Sequence, residues 1–127
     1  ANQMVVGTTI AIVSEALVLA AKAGVDPAGV RQALLGGFAQ SKILEAHGQK
    51  MLDRNFKPGF RIRLHEKDMK IALSTGSEYG VALMVTSQVA QMMTAMKSMG
   101  NGDLDHSGLV EFVEELAKTK LNKKPSS

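Results

Sequence analysis

The stretch VVGTTIAIVSEALVLAAK, residues 5–22, decides the fold of this chain. Its apolar side chains fall on every side of a helix with about 3.6 residues per turn, and Glu15 is the one acidic residue among them. A helix that is apolar on every face lies either in a protein core or across a membrane. Because Glu15 would be costly at the centre of a bilayer, we expect a central core helix that the other helices surround and that supplies subunit contacts.

Helix start and stop signals divide the rest of the chain. Asp26 followed by Pro27 is typical of a helix start, and Gly24 and Gly100 are typical of helix ends. No segment shows the sustained alternation of a strand. We therefore predict an all-α fold, a single helical domain of about six helices around the long apolar first helix. The predicted helices cover approximately residues 3–23, 27–35, 41–53 with Ser41 as cap, 64–75 with an end in the region Gly76 to Gly80, 84–99 and 107–120.

Composition excludes several classes of function. The chain of 127 residues contains no Cys, which excludes disulfides, thiol chemistry and cysteine-ligated zinc. Aromatic residues make up only 4%, so base stacking on single-stranded nucleic acid is disfavoured. Fifteen basic and twelve acidic residues give a net charge of +3, with no run of five like charges. We therefore expect neither a nucleic-acid nor a membrane partner. The location that we expect is the cytoplasm.

The three histidines give no sign of a metal or catalytic site. His47, His65 and His106 are far apart in sequence, and His65-Glu66 lacks the second His that a zinc-protease helix requires. We expect each of them to be a surface or helix-capping residue, and we expect no metal site.

Residues 103–114, DLDHSGLVEFVE, allow two interpretations. Asp103, Asp105 and Ser107 match the first, third and fifth positions of a calcium-binding loop, with Gly108 at the sixth and Glu114 at the twelfth. The alternative is a helix start, in which Asp105 or Ser107 caps the last helix. A small calcium-binding helical protein is therefore an alternative function, although the helix start is favoured because no second loop is present.

A longer pattern carries a family resemblance. It consists of residues 53–62, DRNFKPGFRI, residues 64–69, LHEKDM, Asn2-Gln3 near the start and Asp105-His106-Ser107 near the end. In this order the pattern resembles the C-terminal domain of the β-hydroxyacid dehydrogenases. The resemblance covers residues 1–121 and leaves 122–127 as a polar tail.

The resemblance implies a helical domain preceded by a Rossmann domain that is absent from this chain. That domain would bind NAD or NADP, and the active site would lie in the cleft between the two domains. The implied substrate is a small hydroxyacid or its semialdehyde. The implied enzyme is a homo-oligomer. Residues 36–41, GGFAQS, favour reduction of tartronate semialdehyde to glycerate, and 3-hydroxyisobutyrate is the alternative substrate.

The resemblance also assigns roles to individual residues. The family's catalytic Lys would fall two residues before Ala1, so this chain alone would be inactive. Within the chain, the implied assignments are Asn2 and Asp68 as catalytic residues, Gln3 and Phe60 as substrate-binding residues, and Lys67 as a cofactor-binding residue. Gln3 stands where the family often has a second Asn, and its amide can still donate and accept hydrogen bonds.

Overall fold

The structure, a computed structural model, describes residues 1–122, and these residues form six α-helices. The helices are α1 (Asn2–Lys22), α2 (Pro27–Leu35), α3 (Lys42–Asp53), α4 (Ile62–Tyr79), α5 (Met84–Ser98) and α6 (Val110–Ala117), with a 3-10 turn (His106–Leu109) before α6. Over this described part, the extended backbone amounts to one isolated bridge between Arg61 and Asp105. The predicted all-α class is confirmed. The rest of the predicted polar tail, 123–127, lies outside the described residues.

Helix α1 lies at the centre of the domain, as predicted. It packs against all five other helices and against the 3-10 turn. Eight of its residues are buried, among them Ile10 and Leu17, which have no exposed surface. They meet a core that includes Leu44, Met51 and Met93. Because burial of apolar side chains is the main driving force of folding, this helix organises the fold.

One side of α1 is nevertheless uncovered. Val5, Ile12 and Leu19 are 67%, 57% and 70% exposed, and their spacing of seven residues places them on one face. We call these three residues the outer stripe. The other helices of the domain therefore surround α1 except on this face. By length and composition α1 also qualifies as a membrane span, but 44% of that apolar segment is buried within the domain.

Local capping signals set several helix ends where they were predicted. The Asp26 carboxylate accepts a hydrogen bond from the Ala28 N–H, and the Ser41 hydroxyl oxygen accepts one from the Leu44 N–H. Helix α4 begins two residues earlier than predicted, and it ends within the predicted region, Gly76 to Gly80. Gly76 lies inside the helix, and Leu83 packs so closely on it that a Cβ would lie 2.7 Å from the Leu83 Cδ1 atom. Gly80 ends the helix, with a φ of +70°.

A buried carboxylate joins α4 to α5. Glu66 accepts hydrogen bonds from the Lys97 ammonium at 2.7 Å and from the Thr94 hydroxyl at 2.6 Å. Burial alone would raise the pKa of Glu66, but these hydrogen bonds outweigh it and hold the pKa below its ordinary value. The pair of helices therefore contains a charged clamp beside its apolar contact.

Residues 103–114 form the start of α6. The Asp105 carboxylate accepts a hydrogen bond from the Ser107 N–H at 3.0 Å, and the 3-10 turn begins at the next residue. Asp103 is 72% exposed and pairs with Arg63, whereas Glu114 is buried and pairs with Arg54. The carboxylates of the calcium pattern thus have separate partners, which favours the helix start over the calcium loop. Helix α6 is shorter than predicted because Lys118, in the left-handed conformation, ends it.

Candidate functional site

The amino end of α1 meets the second turn of α4, and polar side chains connect the two helices. The Gln3 side-chain amide donates a hydrogen bond to the Asp68 carboxylate at 3.1 Å. The Asn2 amide donates to the Gln3 side-chain oxygen at 3.4 Å. We call Asn2, Gln3 and Asp68 the amide–carboxylate chain. The structure thus brings together three of the five residues singled out in the sequence, and their roles stay predictions.

An open cleft of about 550 Å³ begins at this chain. Asn2, Gln3 and Asp68 form its polar end, and Ile71, Tyr79 and Leu83 are among the residues of its apolar wall. Ile71 and Tyr79 are more than half exposed. An apolar wall with a few converging polar groups is typical of a small-molecule site.

The other two predicted residues are not part of the lining of this cleft. Lys67 is exposed on α4, next to Asp68, and lies outside the cleft lining. Phe60 is partly buried, and its ring stacks on the His65 imidazole with the ring centroids 5.8 Å apart. Phe60 is therefore connected to the amide–carboxylate chain through His65. The cofactor role of Lys67 and the substrate role of Phe60 also stay predictions.

All three histidines of the sequence meet in a second polar chain. The two Nε2 atoms of His47 and His106 are 2.8 Å apart, as are the two Nδ1 atoms of His106 and His65. His65 Nε2 lies 2.9 Å from the Gln3 carbonyl oxygen. We call these residues the histidine chain. The prediction of separate surface or capping histidines is wrong, because His65 and His106 are buried and all three are in contact.

Gly7 is the one sequence feature that is related to the packing of His65 against α1. Gly7 lies in the long apolar helix, one turn after Gln3, and a Cβ there would lie 2.9 Å from His65 Nε2. Only a residue without a side chain allows the imidazole to approach the helix backbone so closely. The glycine marks a close approach, but its position does not reveal which residue approaches.

The environment keeps the histidine chain uncharged. Burial is the largest cause that lowers the pKa of each of the three imidazoles. For His106 the pKa falls to about 4, since the two other histidines and Lys50 lower it further and Asp105 only partly opposes them. The three rings are therefore neutral at pH 7.

Comparison with known proteins now places the chain. Residues 1–113 match the family model described as NAD-binding of NADP-dependent 3-hydroxyisobutyrate dehydrogenase. The chain belongs to the β-hydroxyacid dehydrogenase family. The resemblance seen in the sequence is thereby confirmed.

Individual members of the dehydrogenase family extend this finding. The chain is 47% identical over 121 residues to 2-hydroxy-3-oxopropionate reductase of Escherichia coli (strain K12), which covers 95% of the chain and 41% of that protein. It is 32% identical to the probable 3-hydroxyisobutyrate dehydrogenase-like 1, mitochondrial, of Arabidopsis thaliana, over 99% of the chain and 38% of that protein. The chain thus spans about two fifths of these relatives.

A solved member of the family shows the same fold. The crystal structure of 3-hydroxyisobutyrate dehydrogenase from Salmonella typhimurium superposes with a TM-score of 0.83 at 24% identity. The match covers 87% of this chain and 39% of that one. The helical architecture is therefore shared with a dehydrogenase of known structure.

In this helical domain Asp105 binds the loop that carries Phe60. One carboxylate oxygen accepts hydrogen bonds from the Gly59 and Phe60 N–H groups, at 2.9 and 3.0 Å, and the other accepts from the N–H and the hydroxyl of Ser107. Burial disfavours the charge, but these hydrogen bonds outweigh it and hold the pKa of Asp105 well below its ordinary value. One carboxylate thus joins the Phe60 loop to the 3-10 turn that contains Ser107.

The same carboxylate bears on metal binding. Donor atoms of His47, Asp105 and His106 lie within 4.8 Å of one another, a spacing that a metal ion could bridge. Both Asp105 oxygens, however, already accept two hydrogen bonds each, and the Lys50 ammonium lies 3.7 Å from one of them. The geometry favours a hydrogen-bonded cluster over a cation site.

Proposed function

We propose that this chain is the helical domain of a longer NAD(P)-dependent reductase that converts tartronate semialdehyde, also called 2-hydroxy-3-oxopropionate, to glycerate. The observation that carries the proposal is the amide–carboxylate chain at the polar end of an open, largely apolar cleft. The substrate is supported by the 47% identity to an enzyme named for that reduction. The proposal includes a Rossmann domain on the other side of the cleft.

The cleft residues fit the chemistry of a nicotinamide cofactor and a short hydroxyacid. A planar, partly apolar ring suits a wall that includes Ile71 and Tyr79, and side-chain amides suit hydroxyl and carboxylate groups. When bound, the cofactor supplies the hydride. This chain's own residues would bind and orient the substrate, and the exposed cation of Lys67 would contact the cofactor.

Each member of the amide–carboxylate chain has a distinct proposed task. Asn2 and Gln3 donate hydrogen bonds to the oxygens of the substrate. Asp68 accepts a hydrogen bond from Gln3 and so fixes that amide's orientation. Asp68 would also stabilise the ammonium of the Lys expected two residues before Ala1, which donates a proton to the aldehyde oxygen. Phe60, held on His65, would border the substrate.

The outer stripe supports a further part of the proposal. Val5, Ile12 and Leu19 expose apolar surface on one face of α1, and such surface favours contact with another protein surface. We propose that a second subunit covers it in a homo-oligomer located in the cytoplasm. Sedimentation of the intact protein tests this point, since a monomer would contradict it.

The decisive experiment measures the activity of the intact protein. Reduction of tartronate semialdehyde should exceed oxidation of 3-hydroxyisobutyrate in kcat/KM, with NADH and NADPH tested separately. Lys67→Ala should raise the cofactor KM, and Lys70→Ala, which removes another exposed lysine of α4, should not. Asp68→Asn should lower kcat, because it removes the charge that stabilises the catalytic ammonium. A preference for 3-hydroxyisobutyrate would overturn the proposed substrate. Activity on neither compound would overturn the proposed reductase function.

A further inference from the structure

The histidine chain has a fixed direction. The Gln3 carbonyl oxygen can only accept, so the proton of neutral His65 must be on Nε2. His65 Nδ1 is then an acceptor, and His106 must donate to it from its own Nδ1. His106 Nε2 in turn accepts from His47 Nε2. One arrangement of neutral rings thus satisfies all three contacts, and it makes His106 the Nδ1–H tautomer.

The two ends of the histidine chain are different. At one end the N–H of His65 points to a backbone carbonyl, which cannot pass a proton on to a substrate. At the other end the Nδ1 atom of His47 is buried and has no hydrogen-bond partner among residues 1–122. A buried charge without a partner would cost far more than a buried neutral nitrogen without one, which again favours neutral rings. Proton transfer along the histidine chain to the cleft is therefore disfavoured. The chain instead holds the Gln3 carbonyl oxygen in place.

The residue that is held, Gln3, lines the cleft. Gln3 binds His65 through its backbone carbonyl and Asp68 through its side chain, so a single residue connects the two chains. His65 is itself clamped, with Gly7 of α1 on one side and the stacked Phe60 ring on the other. We propose that the histidine chain positions the amino end of α1, so that the Gln3 amide reaches Asp68. This inference rests on the proposed function, because positioning matters only where the cleft binds substrate.

Protonation should release this position. A second proton on His65 or His106 would bring two N–H groups face to face and break the chain. The ionisable groups that face these rings are His47 and Lys50 from α3, Asp68 from α4 and Asp105 from the segment before the 3-10 turn. We therefore expect kcat/KM of the intact enzyme to fall on the acid side as the chain is protonated.

The direction of the chain can be measured without any activity. The sequence contains only three histidines, so imidazole ¹⁵N spectra of this chain contain three rings. At pH 7 we expect three neutral rings, with His106 as the Nδ1–H tautomer and the other two as Nε2–H tautomers. Finding His106 as the Nε2–H tautomer, or any ring charged at pH 7, would overturn the inference whatever the enzyme proves to do.

Two variants of His65 then test positioning in the intact enzyme. His65→Gln keeps an amide near the former Nε2 atom and so keeps the bond to the Gln3 carbonyl, whereas His65→Asn keeps a polar group only near the former Nδ1 atom. We expect His65→Asn to lower kcat/KM on the order of 10²-fold, and His65→Gln to restore most of it.

The outcomes are separable. Equal losses in both variants, in proportion to their melting temperatures, would show a merely structural histidine and overturn the inference. Absence of reductase activity in the unaltered protein would instead overturn the proposed function, and the tautomer measurement would still decide the chain's direction.

Discussion

The two ends of residues 103–114 use buried polar side chains in opposite ways. At the beginning, His106 is neutral and takes part in a directed hydrogen-bonded chain that ends at Gln3. At the end, Glu114 is paired with Arg54 by two hydrogen bonds of 2.7 and 3.0 Å and also accepts from the Leu121 N–H. The charged end ties α3 to α6, and the neutral end leads to the cleft. The ion pair holds two helices together. The neutral imidazoles do this too, but each ring also fixes which nitrogen of the next ring donates, and so orients the groups at the end of the chain.

The largest effect is expected where the neutral end is anchored. Asp105→Ala leaves the N–H groups of Gly59, Phe60 and Ser107 without their acceptor, and we expect a loss of roughly 3–5 kcal/mol in the free energy of unfolding. Asp103→Ala is the matched control two residues earlier, and the melting temperature should stay unchanged because Asp103 is exposed. Urea denaturation measures both. Similar losses in the two variants would contradict the anchoring role.

The second-largest effect is expected from acid, which should lower the stability of the folded chain through His106. The pKa of folded His106 is about 4 against an ordinary value of 6.5, so between these pH values the unfolded chain binds a proton that the folded chain does not. Stability is therefore complete above pH 6.5 and is lost as the pH falls towards 4, by on the order of 3 kcal/mol for this residue. Urea midpoints at half-unit pH steps measure the loss. A loss that begins only below pH 4.5 would implicate carboxylates instead.

A change at the charged end, Glu114, should lower the free energy of unfolding by a smaller amount and leave the cleft unchanged. Glu114→Gln removes the charge facing Arg54, and we expect a loss of about 2 kcal/mol with kcat/KM of the intact enzyme unchanged. Glu115→Gln changes the exposed neighbour and should leave stability unaltered. Calcium should not shift the melting temperature of either protein. A fall in kcat/KM for Glu114→Gln alone would remove the contrast between the ends.

Local signals predicted most of the fold. Residues 5–22, the Ser41 cap and the Asp26-Pro27 pair mark helices through neighbours in the sequence, and the structure agrees with them. The differences arise where distant residues decide. The predicted start of the last helix is a 3-10 turn instead, and it directly follows Asp105, which accepts a hydrogen bond from the distant Gly59 N–H.

The site divides in the same way. The family pattern placed Asn2, Gln3 and Asp68 near one another although Gln3 and Asp68 are 65 residues apart. The histidine chain carried no such pattern, because its contacts join residues that are 41, 59 and 62 positions apart. No helical or strand spacing relates such residues, so only the packed structure reveals them.

The outer stripe has a practical consequence for handling this domain. Val5 and Leu19 are fourteen residues apart, which corresponds to roughly 21 Å along a helix. A ridge of this length that no other part of the described domain covers makes the separated domain prone to precipitation at high concentration. Replacing Ile12 at its midpoint by Lys should raise the solubility limit while leaving the interior unchanged, since that side chain is 57% exposed.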